Sequence, residues 1–389
     1  MSCKREDSLL VRIAGRYYHK KWFFSGETGN EVTTVPFELV DGWIVVKVKL
    51  NDQENTEYRF IFDSGAISSI EPEIAKVLNL APLRNFASTD VNDVRSSVSL
   101  VNLRKLTIGK RSFSKVGALS SHHALTSCNG IDGVVGYNIL GKGVFKVNYK
   151  TQTITISSEE NFFNKKDFHS VRMIKDWRRM LYLKLTTNNK SFNALLDTGA
   201  PDYVFLNNSL QKEFCEDYLL QRRLKYLNGA NSSILDTLSI YKGHNLKLSE
   251  LSIDRDVLIF SNIDNSIGNG FLAGFEEVVI NVKKNRLYLS KKELERKKRN
   301  SLINLNIGWK EGLVKITGLA IESKIAKIGL KIGDQVTSIN DVQVSSFQDN
   351  CEFSLFKSSL EFANTDLRLS ILRDGRSYNY VISKSMMYE

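Results

Sequence analysis

One nine-residue pattern occurs twice in this chain, 134 positions apart. Tyr58 to Ala66 reads as an apolar strand ending in Asp63-Ser64-Gly65-Ala66. Phe192 to Ala200 reads as an apolar strand ending in Asp197-Thr198-Gly199-Ala200. Each is preceded by an alternating, strand-like run, Trp43 to Leu50 and Leu181 to Thr187, and a polar turn joins each pair. A repeat with a period of a domain's length predicts two similarly folded, β-rich halves rather than one continuous sheet.

The parallel continues downstream. A short helix is expected over Glu71 to Leu78, with Pro72 near its start, and a polar hairpin over Ser88 to Ser99. The first copy closes with Ile131-Asp132-Gly133-Val134-Val135-Gly136 and strands at 143–149 and 153–157. The second copy has its polar hairpin at Asn228 to Ser233. Its closing segment is read as Gly270-Phe271-Leu272-Ala273-Gly274, before strands at 278–282 and 286–290. Residues 300–389 change character: a strand at Leu313 to Ile316, a short helix capped by Gly329, a strand ending at Ile339-Asn340, a helix from Cys351 to Leu360, and a hairpin turning at Asp374-Gly375. The expected organisation is an N-terminal segment of unassigned role (1–31), two lobes (32–160 and 170–292), a charged linker (293–300) and a small α+β module (301–389).

With 54 Lys and Arg against 43 Asp and Glu, the net charge is +11. The basic residues are dispersed except for a run from Lys291 to Arg299 that alternates with Glu293 and Glu295, which fits a solvated linker helix and no nucleic-acid partner. No run of about 18 apolar residues occurs, so no transmembrane helix is expected. Cys3, Cys128, Cys215 and Cys351 lie far apart with no CxxC spacing, so neither a zinc knuckle nor a redox pair is expected. His122-His123 beside Cys128 is not read as a metal site, because adjacent strand residues face opposite ways. Met1-Ser2-Cys3-Lys4 leaves two locations open: cytoplasmic, or a cell-envelope lipoprotein attached at Cys3 after loss of a leader. There is no HExxH, no P-loop and no strand-linked GxGxxG, which argues against metal- or nucleotide-dependent chemistry.

Two Asp-(Ser/Thr)-Gly turns have a definite chemical use if the halves pack about a pseudo-two-fold axis. Asp63 and Asp197 then meet face to face. Two carboxylates a few ångströms apart cannot both ionise cheaply, so they share a proton, one acting as acid and the other as base. Such a pair can activate water and protonate a leaving amide nitrogen.

With these motifs the chain resembles the retropepsin-like aspartyl proteases, in the single-chain, two-lobed arrangement of pepsins, over roughly 32–292. The resemblance implies a mostly β fold of two pseudo-symmetric acid-protease barrels. It implies a catalytic dyad of Asp63 and Asp197, with Ser64, Gly65, Thr198 and Gly199 supporting the turns. It also implies an extended peptide or protein substrate, no metal or organic cofactor, and a monomer. The last module resembles a PDZ domain through Val314 to Ile316, Ala326, Gly329-Leu330, Gly333-Asp334 and Ile339-Asn340. That implies binding of a peptide C-terminus by strand addition, with the carboxylate-binding loop expected before the first strand at Ile307-Gly308-Trp309. The competing expectation is an inactive relative that binds peptides without cutting them. Because Ala66 and Ala200 stand where pepsin-type motifs often carry a hydroxyl, an active enzyme is expected to work best at mildly acidic to neutral pH rather than below about pH 3.

Overall fold

The computed structural model describes residues 26–28, 31–294 and 304–387, apart from 52, 54, 91, 123–126, 142, 189, 230, 231, 254, 255 and 361–365. The chain is mostly β. The expected linker helix falls, from residue 295 onward, outside the described residues, as does most of segment 1–31.

Burial follows the sequence periodicity. In strand Trp43–Leu50, Ile44, Val46, Val48 and Leu50 enter the main core while Lys47 and Lys49 face water. Val40-Asp41-Gly42-Trp43 turns the chain between Thr33–Val40 and Trp43–Leu50, with both central residues at positive φ (50° and 88°). That geometry suits the twist of a two-residue hairpin and favours an Asx-Gly pair. The same device, at Asp374 and Gly375, joins Leu367–Arg373 to Arg376–Ile382.

One unusual pairing pattern occurs twice. Strand Tyr58–Phe62 runs parallel to Gly133–Val135, which also pairs antiparallel with Ser69–Ile70. Strand Ser191–Asp197 runs parallel to Ser266–Gly268, which pairs antiparallel with Val204–Asn207. A six-stranded antiparallel sheet joins the two copies in the order 33–40, 153–157, 144–148, 277–281, 286–290, 168–175. Its centre is the pairing of Val144–Asn148 with Glu277–Asn281, and one apolar core spans both copies.

The register corrects one sequence assignment. The second closing segment is Ser266-Ile267-Gly268, because Leu196 aligns with Ile267 and Asp197 with Gly268. Gly270 to Gly274 instead belongs to a short helix, Asn269–Leu272, and the turn after it.

Residues 304–387 have their own core, built on Ile316, Ile325, Val336, Ile339, Phe353, Leu369, Ile371 and Ile382. The cysteines add a long-range link. Cys128 and Cys351 form a disulfide across 223 residues, tying helix Asn350–Ser359 to the one-turn helix Ser127–Asn129. Cys215 is free and exposed. Among the described residues, no helix is long and apolar enough to cross a membrane.

Candidate functional site

Each Asp-(Ser/Thr)-Gly turn leaves its sheet where a short parallel partner strand ends, and the two turns meet. Asp63 Oδ1 accepts the backbone N–H groups of Gly65 (2.7 Å) and Ala66 (3.1 Å). Asp197 Oδ1 accepts those of Gly199 (3.0 Å) and Ala200 (3.1 Å). Each carboxylate thus closes its own turn, a common use of aspartate.

The turns are bolted together by reciprocal hydrogen bonds. The Ser64 N–H donates to Thr198 Oγ1 (2.9 Å), and the Thr198 N–H donates to Ser64 Oγ (3.1 Å). The Ser64 hydroxyl donates to the Leu196 carbonyl (2.7 Å), and the Thr198 hydroxyl to the Phe62 carbonyl (2.8 Å). Both side chains are fully buried, so their hydroxyls stand in for water at the strand ends. The glycines are required for another reason. A Cβ on Gly65 would lie within 3.0 Å of the Asp197 carboxyl, and one on Gly199 within 3.0 Å of the Asp63 carboxyl. Each carboxylate therefore covers the opposite turn, and any larger residue at either glycine would drive the pair apart.

The electrostatics follow from this packing. Both aspartates are hemmed in by protein yet remain half-exposed at residue level. Loss of hydration raises the Asp63 carboxyl above its usual range, against the lowering pull of the Gly65 N–H. Asp197 is pushed well above that range by the same loss of hydration and by the charge of Asp63. Both shifts run upward, so the facing carboxyls favour the protonated form more than isolated ones would.

Outside the grip the turns are not equivalent. The Trp43 indole N–H donates to the Gly199 carbonyl (2.8 Å). The peptide unit so held carries the Ala200 N–H that reaches Asp197 Oδ1. Asn269 bridges the copies as well, donating to the Gly42 carbonyl (2.7 Å) and accepting from the Tyr149 hydroxyl (2.6 Å). Counted back through the strand registers, Met180 occupies the place matching Trp43, and its side chain has no N–H to give. Sequence reading missed Trp43, Tyr149 and Asn269. Only Trp43 carried a signal, as an indole opening a strand opposite its repeat's methionine.

The two polar hairpins form as expected. The first joins Arg84–Thr89 to Arg95–Ile108, and the second joins Leu219–Asn228 to Ser233–Lys242. Their tips touch: Asn92 Nδ2 donates to the Leu227 carbonyl (3.0 Å) and to Ser232 Oγ (2.9 Å), and the Ser232 hydroxyl donates to Asp90 Oδ2 (2.6 Å).

Ile307, Gly308 and Trp309 are not in a loop, which corrects the expected carboxylate-binding site. They lie inside strand Leu305–Lys310, opposite Ile316, Lys315 and Val314, and Ile307 is buried in the core. Trp309 borders a pocket of about 360 Å³ with Leu313, Val336, Val344 and Phe347. Metal-ligand chemistry among the described residues is confined to Glu71, Glu73 and His122, whose ring nitrogens already face the two carboxylates at 2.9 and 3.7 Å.

Comparison with known proteins overturns the expected family. No family model matches the chain, and no curated protein matches it. Among solved structures, Basic 7S globulin from soybean is similar at 11% identity, covering 68% of this chain and 96% of that one, with a TM-score of 0.40. A likeness that loose carries no argument. The chain is therefore not assigned to the retropepsin-like proteases, nor its last unit to the PDZ family.

Proposed function

We propose that the chain is an aspartic endopeptidase, which hydrolyses peptide bonds with Asp63 and Asp197 as one proton-sharing pair. The observation that carries this reading is the mutual cover of the two turns, each glycine lying against the opposite carboxyl within a reciprocal Ser64–Thr198 grip. A structural aspartate has no need of a second one opposite it, and burying two acids together costs stability, which is why such pairs concentrate at functional sites.

In this reading two pseudo-symmetric β-barrel lobes, 32–160 and 170–292, present the dyad, and a small α+β module at 301–389 binds peptide. The ionised carboxylate takes a proton from a water molecule as its oxygen attacks the substrate carbonyl. The protonated carboxyl gives its proton to the carbonyl oxygen. As the tetrahedral diol collapses, the carboxylate takes a proton from one diol hydroxyl, the protonated carboxyl gives its proton to the nitrogen, and the C–N bond breaks. The products are a carboxylic acid and an amine, and the pair again holds one proton.

Incubation with a peptide library at several pH values, read by mass spectrometry, tests the proposal. Cleavage by the native chain and none by Asp197→Asn is expected. Equal cleavage by both would remove the mechanism. Peptide binding without any cleavage would leave the fold in use as a binding device only.

A further inference from the structure

The second hairpin has two owners. Strand Leu219–Asn228 pairs along one edge with Ser233–Lys242, and its other edge is taken by the C-terminal unit. Arg223, Leu224 and Lys225 pair antiparallel with Ala320, Leu319 and Gly318. The Ile321 N–H adds a bond to the Arg222 carbonyl (2.9 Å). Side chains repeat the attachment on both sides of the ladder. Gln221 Nε2 donates to Asn304 Oδ1 (2.5 Å), and Lys310 Nζ sits 3.3 Å from the centre of the Tyr226 ring. Arg223, buried on the same strand, lies within electrostatic reach of Asp202, five residues beyond Asp197.

The C-terminal unit is anchored at its far side to the first copy of the repeat. Cys351, at the start of helix Asn350–Ser359, is disulfide-bonded to Cys128, and the Asn350 amide donates to Cys128 Sγ (3.5 Å). Both cysteines are half-buried. Lys357 on the same helix faces Lys225 of the hairpin and Asp41 of the first copy's turn. Three parts of the chain converge there.

We propose that residues 304–387 are a strap that positions the second hairpin, and that Cys128–Cys351 is the exchange site at which a dithiol slackens it. The strap runs from the first copy, through the disulfide and the unit's own core, to strand Leu219–Asn228. It therefore fixes the far tip, where Ser232 and Leu227 meet Asp90 and Asn92. Reduction is an ordinary two-electron exchange. One thiolate of the dithiol attacks a protein sulfur, giving a mixed disulfide. Its second thiol displaces that bond, leaving two cysteine thiols and a cyclic disulfide of the reductant. The inference rests on the proposed function only in making the strapped hairpin a wall of the substrate cleft.

Amide hydrogen exchange on the full chain, before and after dithiothreitol, reads the strap without any need for catalysis. A thiol titration that rises by two confirms reduction. Exchange at 223–225, 318–320 and 227–229 is expected to speed up at least tenfold, while the core strand Trp43–Leu50 stays protected. Unchanged exchange at 223–225 in the reduced chain, or in Cys128→Ser, would overturn the proposal. If reduction unfolds the whole chain, the oxidised double variant Gln221→Ala, Tyr226→Ala decides: faster exchange confined to the hairpin supports the strap, and native exchange refutes it. Parallel assays with a quenched peptide separate the two ideas. Faster exchange without cleavage in either redox state removes hydrolysis and keeps the strap, whereas cleavage with unaltered exchange does the reverse.

Discussion

The two hairpins are alike in their polar tips, but they are held by different means. The first is rooted in its own half of the molecule. Its long strand, Arg95–Ile108, buries Val98, Leu100, Val101, Leu103, Leu106 and Ile108. The second buries Arg223 and Leu227 on strand Leu219–Asn228 and Leu238, Ile240 and Tyr241 on Ser233–Lys242, which pairs with Val257–Ser261 in its own half, and in addition its outer edge is taken by a strand of the C-terminal unit. The two aspartate turns differ in the same sense. Their inner grip is reciprocal, bond for bond, yet among the described residues only the second turn receives an indole N–H from across the interface. A shared proton needs two carboxyls held at a fixed distance, and that requirement falls on Ser64, Thr198 and the glycines. The outer shell is under no such demand and has diverged between the halves.

The largest expected effect comes from abolishing the equivalence at its centre. Asp63→Asn and Asp197→Asn should each lower kcat/KM by at least about a thousandfold, with the native fold kept by circular dichroism. Either variant should also be the more heat-stable protein at neutral pH. A carboxyl whose folded-state pKa is raised stabilises the fold at pH below its unfolded value, and that contribution is lost as pH rises through the folded value. The melting-temperature advantage of Asp197→Asn over the native chain should therefore grow from pH 4 to pH 8. An advantage independent of pH would contradict the shared-proton account.

Next in size is the grip. Thr198→Val keeps the shape but strands the Ser64 N–H and the Phe62 carbonyl in a dry interface, at a cost of about 1–3 kcal/mol per orphaned group. The melting temperature should fall by several degrees and activity with it, whereas Thr198→Ser should stay close to native. Ser64→Ala should behave like Thr198→Val, because the grip is reciprocal.

The asymmetry gives a smaller signal. Trp43→Phe removes one neutral hydrogen bond, worth about 1 kcal/mol, from the chain that ends on Asp197. A drop in kcat of roughly fivefold is expected, with KM little changed and the acid limb of the pH profile moved upward. Met180→Phe, at the matching place in the other half, should leave the profile where it was. The smallest effect belongs to the tip clasp, where Ser232→Ala loses partly solvated hydrogen bonds and should alter kcat/KM by less than about threefold.

What the sequence disclosed depended on whether the physics was local. The twin aspartate turns, both hairpins and the Asp374-Gly375 turn were legible because strand alternation and positive-φ residues are written within a few positions. The second closing segment was misread because Gly270-Phe271-Leu272-Ala273-Gly274 imitates the first copy's pattern, while the strand that pairs beside Asp197 is Ser266-Ile267-Gly268. Ile307-Gly308-Trp309 is expected in a loop because it precedes Leu313 to Ile316, read as the unit's first strand. The glycine instead sits in a strand opposite Lys315. The disulfide and the pairing of Leu224 with Leu319 left no trace at all. Both join segments about 100 residues or more apart, and a sheet edge carries no sequence mark of the strand that will complete it.

The central claim is that Asp63 and Asp197 titrate as one unit, and carbon-13 NMR of aspartate-labelled protein tests it most directly. The account predicts two separated transitions, the upper one well above the ordinary carboxyl range, and a fall of that upper transition when Asp63→Asn removes the facing charge. Two independent transitions near pH 4, with Asp197 unmoved by the loss of Asp63, would contradict it.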